Sequence, residues 1–238
     1  MTTIKQFGTV YGGFYYPVDL NGLNSNSIIY CVGAGEDITH DIKVANQLNS
    51  KVYIFDPTPR AIEHVKYVKE VFAGTRKPVD NFRFGGGDTN YWNLLLLNKI
   101  PAKNIILKEY GLYTSNETMK FYKPENENYV SCSLVEGMTG KESFDVPVKN
   151  LKTIMAELNH TKIDLLKLDI EGSECDVIHQ MLDEGIYPKY LSVDFDLGYT
   201  KSIARDAVRC VETIKRILAS GYVKLYSIGA DYSFEHIL

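Results

Sequence analysis

The sequence predicts an α/β fold in which helices cover a mostly parallel sheet. Three observations carry that reading. Short apolar, β-rich runs alternate along the chain with longer stretches of helical period. The first run, 27–32, empties into the bend Gly33-Ala34-Gly35, and a helical pattern begins directly after it. The strongest strand pattern, 163–170, is followed by Glu171-Gly172-Ser173-Glu174, again a turn that opens a helix.

Taken in order, the elements are these. Over 37–48, apolar Ile38, Ile42, Ala45 and Leu48 recur at spacings of three and four, a helix with one buried stripe. A second strand, 52–55, stops at Asp56-Pro57-Thr58-Pro59, where two prolines end the ladder, and a helix over 60–72 buries Ile62, Val65 and Val68. The stretch 73–101, with Gly85-Gly86-Gly87, reads as a loop and a short helix. A third strand covers 104–108, Tyr110-Gly111-Leu112 follow it, and 119–122 is an added hairpin strand. The polar segment 124–140 reads as a mobile excursion of the length used for lids. A helix over 151–158 leads to the 163–170 strand and to a helix from Glu171 through Leu182; strand 190–195, helix 203–219 and strands 223–228 and 233–237 complete the chain.

Composition bounds the class. The 238 residues are 45% hydrophobic and 24% charged, which removes disordered, collagenous and coiled-coil readings. A chain of this size buries roughly 70–75% of its unfolded surface, enough for one large domain. The expected organisation is an N-terminal extension over 1–26 packed on a single domain over 27–238. No apolar run reaches the ~18 residues that span a bilayer, and the N-terminus lacks the order of a signal peptide, so a cytoplasmic protein is expected. Cys31, Cys132, Cys175 and Cys210 show no metal or disulfide spacing and read as buried thiols. A net charge of −4 without a basic block argues against a nucleic-acid partner.

In an open α/β sheet, ligands bind beyond the carboxyl ends of the strands. That rule selects Gly33, Gly35, Glu36 and Asp37 after the first strand, Asp56 after the second, Tyr110, Gly111 and Leu112 after the third, Asp169 to Glu174 after the fourth, and Asp194 and Asp196 after the fifth. A glycine turn followed 23 residues later by an acid is the general pattern for a nucleoside, whose ribose diol donates to the carboxylate. The turn lacks the third glycine of a dinucleotide loop, and Glu36 and Asp37 would repel a pyrophosphate by about 1 kcal/mol or more at intermediate dielectric. A phosphate-free cation fits better, and S-adenosylmethionine is such a ligand. In the fourth loop, Asp169 or Glu171 is suited to take a proton from an acceptor hydroxyl, or Asp169 with Asp194 and Asp196 to hold a divalent ion, Mg or Mn, that acidifies it. Glu171 and Glu174 also suit the first turn of a helix for dipole reasons alone.

The chain resembles the FkbM-type S-adenosylmethionine-dependent methyltransferases. The resemblance runs through Tyr11-Gly12-Gly13-Phe14-Tyr15-Tyr16-Pro17, Val32 to Ile38, Phe55-Asp56-Pro57-Thr58-Pro59, Tyr110-Gly111-Leu112, Ser131-Cys132-Ser133-Leu134 and Leu166 to Glu174. It implies a Rossmann-like, class I methyltransferase fold, a seven-stranded mostly parallel sheet with helices on both faces. It also implies O-methylation of a sugar, glycan or other small hydroxylated acceptor. Carried over residue by residue, Gly33, Gly35 and Glu36 line the methionine moiety, Asp56 the ribose, and Asp169 with Glu171 the reaction centre. The family's fifth strand often ends in Glu-Phe-His, whereas this chain has Asp194-Phe195-Asp196, so a histidine base there is excluded. His40 stands where an aromatic residue is expected and reads as a satisfied helix-face residue. The alternatives are a non-catalytic nucleoside-binding or scaffold protein on the same fold and, less well matched, a nicotinamide-dependent oxidoreductase. Acceptor specificity is expected in 73–101 and 124–140.

Overall fold

The computed structural model describes residues 3–79, 84–126, 129–134, 140–195 and 203–238. The strands are β1 (Ile4–Phe7), β2 (Phe14–Pro17), β3 (Ile29–Val32), β4 (Val52–Phe55), β5 (Ile105–Lys108), β6 (Gly111–Leu112), β7 (Glu117–Tyr122), β8 (Ser143–Lys149), β9 (Leu165–Leu168), β10 (Tyr190–Asp194), β11 (Tyr222–Ile228) and β12 (Asp231–His236). The helices are α1 (Thr39–Leu48), α2 (Pro59–Ala73), α3 (Tyr91–Leu97), α4 (Leu151–Leu158), α5 (Glu174–Asp183) and α6 (Ile203–Ala219). Seven strands form one sheet in the order β11-β12-β10-β9-β3-β4-β5. The five strands from β10 to β5 run parallel, β12 runs antiparallel beside β10, and β11, antiparallel to β12, takes the outer edge. After β3 the chain builds outward through β4 and β5, then returns to β9 on the other side of β3. The space beyond β3 and β9 is therefore the topological switch point.

Why the parallel strands read as unbroken apolar runs is visible in β3. Ile29 and Cys31 belong to a core with α1, α2 and α3, whereas Tyr30 and Val32 belong to a second core with α4, α5 and α6. Side chains alternate across a strand, so a sheet covered on both faces has no polar side to show. The first core also takes Phe7, Phe14 and Tyr16 from the β1–β2 hairpin, and Tyr15 stacks on Tyr226 at 3.9 Å between ring centres.

Three local expectations are corrected. The helix after the fourth parallel strand begins at Glu174 instead of Glu171, because Glu171 and Gly172 adopt φ of 57° and 104°, outside helical geometry. The strand itself is shorter, Leu165–Leu168. The expected hairpin strand is β7, and its partner is the unexpected β8; with β6 they form a separate three-stranded sheet. Pro147 argues against a strand there. Lys149 turns its carbonyl toward the β6 side, where it accepts from Tyr113 N at 3.0 Å, so Pro147, two residues back, faces the same side beyond the end of β6. The stretch 73–101 holds a 3-10 turn, Phe84–Gly87, and the short helix α3. Among the described residues no helix is long and apolar enough to cross a membrane.

Candidate active site

A crevice opens at the switch point. Of the residues singled out in the sequence, Gly33, Gly35, Glu36, Asp37, Asp56, Gly111, Leu112, Asp169, Glu171 and Asp194 line it. Tyr110 does not: its ring packs 5.8 Å from that of Phe55, under the Lys149 ammonium at 4.5 Å. Asp196 lies outside the described residues.

The glycine turn is held by groups from every neighbouring element. Gly33 has a φ of 84°, and a Cβ on it would stand 1.8 Å from the carbonyl oxygen of Asp169, so only glycine lets the β3 and β9 loops meet. Gly33 N donates to Phe55 O at 3.0 Å, and Gly33 O accepts from Lys167 Nζ at 2.5 Å. Asp56 Oδ2 accepts from the amides of Ala34 and Gly35 at 2.8 and 3.2 Å. Its Oδ1 accepts from the amide and hydroxyl of Thr58 at 2.8 and 2.7 Å. Asp56 thus uses both oxygens on the chain itself, which modifies the expectation of an acid turned to a ribose alone. It also changes the reason a pyrophosphate is unsuited: the turn's N–H groups, which would cradle a phosphate, already hold a carboxylate.

Gly35 O pairs with His64 Nδ1 at 3.2 Å, and His64 Nε2 with the Tyr91 hydroxyl at 2.6 Å. A carbonyl can only accept, so Nδ1 carries the proton and the tyrosine donates to Nε2. Burial pushes the His64 pKa down to about 4, against the pull of its bond to Gly35.

Glu36, expected to line the methionine moiety, lies in the crevice wall. Arg60 holds it in a two-pronged pair, Nε to Oε1 at 3.2 Å and Nη2 to Oε2 at 2.8 Å. Asp37 accepts from the amide and hydroxyl of Thr39 at 2.8 and 2.7 Å and from the Thr9 hydroxyl. Burial raises its pKa, and the threonine bonds oppose that rise.

The fourth loop centres on Asp169, about one-third exposed, with Lys167 Nζ 3.5 Å from its Oδ2. Glu171 takes a left-handed backbone, and its carbonyl accepts from Ser133 Oγ at 2.5 Å. Glu174 folds back over the loop: Oε1 accepts from Ile170 N at 2.8 Å and Oε2 from Gly172 N at 3.0 Å. It is a loop clamp as well as a first-turn acid. Burial pushes its pKa up to about 8, the amide bonds oppose this, and the like charge of Asp169 adds to it.

Two groups were not foreseen. Lys167 is 2% exposed in the middle of the sheet, and the carboxylates of Asp169 and Asp41 outweigh the burial that disfavours its charge, so its pKa rises. The signal was present: a lysine within Leu165-Leu166-Lys167-Leu168 has no solvent to reach. Asp231 lies opposite Asp194 across β12 and β10; burial first, then the charges of Asp194 and Asp169, push its pKa up to about 7.

Of the acids expected to form an oxygen site for a divalent ion, Asp169 and Asp194 line the crevice and Asp196 lies outside the described residues. Among the described residues, the group of three metal-ligating side chains close enough for one ion is Cys31, His40 and Asp41, with ligand atoms within 4.8 Å, buried and outside the crevice lining. There His40 Nδ1 pairs with Asp41 Oδ1 at 3.0 Å and Nε2 with the Tyr16 hydroxyl at 3.0 Å, so His40 is the satisfied helix residue that the sequence suggested.

Comparison with known proteins adds the following. The model of the Methyltransferase FkbM domain matches residues 27–193. No curated protein sequence matches the chain significantly. Among solved structures, a chain of a fibrillarin/Nop5p complex superposes with a TM-score of 0.44 at 10% identity, covering 91% of this chain and 75% of that one. Fibrillarin from Methanococcus jannaschii gives 0.40 at 11% identity, with 90% and 67% covered. M. jannaschii TYW2 in complex with AdoMet gives 0.28 at 12% identity, with 100% and 88% covered. The matched segment encloses the glycine turn, Asp56 and the Asp169 loop on a single Rossmann-like domain, and the chain therefore belongs to the FkbM methyltransferase domain family.

Proposed function

We propose that the protein is an S-adenosylmethionine-dependent O-methyltransferase whose acceptor is a hydroxyl of a sugar, glycan or other small molecule. The observation that carries this reading is the charge of the crevice. Glu36, Asp37, Asp56, Asp169, Glu171 and Asp194 line it, and among the described residues no Lys or Arg does. With the turn's amides already occupied by Asp56, the site disfavours phosphates and favours a cationic adenosine compound. The residues present fit that compound. Gly33 and Gly35 permit close backbone approach, Gly111 and Leu112 flank the nucleoside, Asp56 holds the turn on which the ribose rests, and Asp37 faces the ammonium end.

When bound, the cofactor supplies an electrophilic methyl group. Asp169 takes the proton of the acceptor hydroxyl as its oxygen attacks, a general-base role that needs the carboxylate within hydrogen-bond reach. Lys167 beneath it, 3.5 Å away, holds that carboxylate at the strand end. Glu171, carried by a backbone strained into the left-handed region, orients the acceptor. Titration calorimetry tests the cofactor assignment. S-adenosylmethionine and S-adenosylhomocysteine should both bind the wild-type protein, and Asp56→Ala should weaken them about tenfold or more, because it releases the turn on which the ribose rests. Absence of binding of either compound would overturn the assignment. Incubating the loaded protein with a panel of hydroxylated sugars, with mass spectrometry for the added methyl, tests the acceptor class.

A further inference from the structure

The β1–β2 connection, residues 8–13, reaches the crevice from the N-terminal hairpin. Thr9 fastens it to the start of α1: its hydroxyl donates to Asp37 Oδ2, its amide to Thr39 Oγ1 at 2.9 Å, and Gly12 N donates back to Thr9 Oγ1 at 3.0 Å. A side chain on Gly12 would stand 3.1 Å from the Asp37 carboxyl, so the connection lies directly against that acid. Tyr11 and Gly12 form part of the crevice wall. On its other side, Tyr11 rests on the Phe84–Gly87 turn. A Cβ on Gly86 would come within 2.4 Å of Tyr11 Cγ, and Gly85 N donates to Glu36 O at 2.9 Å, tying that turn to the glycine bend. The ring is thus positioned from two sides, yet Tyr11 remains 62% exposed and Val10 beside it 87%.

The acids at this end are partly spent. Glu36 is paired with Arg60, and both oxygens of Asp37 already accept from Thr9 and Thr39. A cation placed here gains field from Asp37 but few open acceptors. An aromatic face supplies the missing wall, because its quadrupole attracts an ammonium and excludes water on that side.

We propose that Tyr11 is a binding residue for the cofactor's amino-acid tail, its ring covering the ammonium group at the Asp37 end of the crevice. This rests on the cofactor reading above and assigns it a residue from outside the parallel sheet. The test is calorimetry with two probes: S-adenosylhomocysteine, which carries the tail, and methylthioadenosine, which keeps the nucleoside and lacks the tail. Tyr11→Leu is expected to weaken S-adenosylhomocysteine about fivefold or more and to leave methylthioadenosine within about twofold, while Tyr11→Phe binds both as the wild type does. Gly86→Val, which displaces the ring, should repeat the selective loss. Equal weakening of both probes, or no change in either, overturns the role of Tyr11 while leaving the cofactor assignment standing. Failure of the wild-type protein to bind S-adenosylhomocysteine overturns both.

Discussion

Lys167 Nζ donates to the carbonyl oxygen of Gly33 at 2.5 Å and stands 3.5 Å from Asp169 Oδ2, so one buried cation joins the cofactor turn to the proposed base. The bond explains how two loops that merely touch can hold a fixed spacing. It also places a positive charge beneath a crevice whose lining is acidic, which offsets the mutual repulsion of the carboxylates there.

Removing that charge should be costly. Lys167→Met leaves Asp41 buried beside an apolar chain and Gly33 O without its donor, and the expected loss is about 3–5 kcal/mol of folding stability, as for a buried ion pair with one partner removed. Urea unfolding read by circular dichroism measures it. A loss under about 1 kcal/mol, typical of an exposed pair, would show that the cation does not carry the sheet centre.

Gly33→Ala separates a steric demand from a backbone one. The added Cβ meets a backbone carbonyl at 1.8 Å, whereas one on Gly74 meets nothing within 4 Å, although both have positive φ, 84° and 79°. Gly74→Ala should cost only the left-handed penalty of about 1–2 kcal/mol. Gly33→Ala should exceed it and abolish S-adenosylhomocysteine binding. Equal melting shifts for the two variants would contradict the close approach of Gly33 and Asp169.

How far the sequence revealed the site follows from the range of each interaction. β3, β4 and β9 were legible because a strand covered on both faces is an uninterrupted apolar run, and each ends in Gly, Pro or Asp. Helix α6 was legible as well, expected at about 203–219 and found at Ile203–Ala219. The positions of Gly33, Asp56 and Asp169 followed from the strand-end rule. What those acids bond to did not. Arg60 reaches Glu36 from a different helix, and Thr9 reaches Asp37 from a hairpin with no periodic relation to it. β8 was hidden by Pro147, which only the shortness of β6 makes harmless. Tyr110 was misplaced because the strand-end rule gives a position along the chain and no side-chain direction.

A pH dependence follows from His64. Its folded pKa of about 4 lies below the unfolded value near 6.5, so the unfolded chain binds the extra proton between those limits. Stability is then fully present above about pH 6.5 and falls as pH drops toward 4, by on the order of 3 kcal/mol if His64 acted alone. Because folded His64 stays neutral until about pH 4, S-adenosylhomocysteine affinity of the folded protein should hold through that window and decline only near and below pH 4. His64→Gln, which can donate to Gly35 O without titrating, should flatten both curves, as urea midpoints and calorimetry across pH would show. Unchanged slopes in the variant would assign the acid sensitivity elsewhere.

Asp169 separates binding from chemistry. Asp169→Asn keeps the shape and the backbone carbonyl that meets Gly33, so S-adenosylhomocysteine should bind within about threefold of the wild type, the margin expected when no buried charge pair on the ligand is broken. Methyl transfer, once an acceptor is found, should fall about 10²–10⁴-fold, the usual contribution of a positioned base. If Asp169 acts as an unaided base, a chelator leaves the rate unchanged. A rate lost to the chelator and restored by Mg or Mn would return the acids to a metal role, with the ion acidifying the hydroxyl. A variant that binds normally and transfers at the wild-type rate would move the base to Glu171 or Asp194, the two remaining acids of that wall.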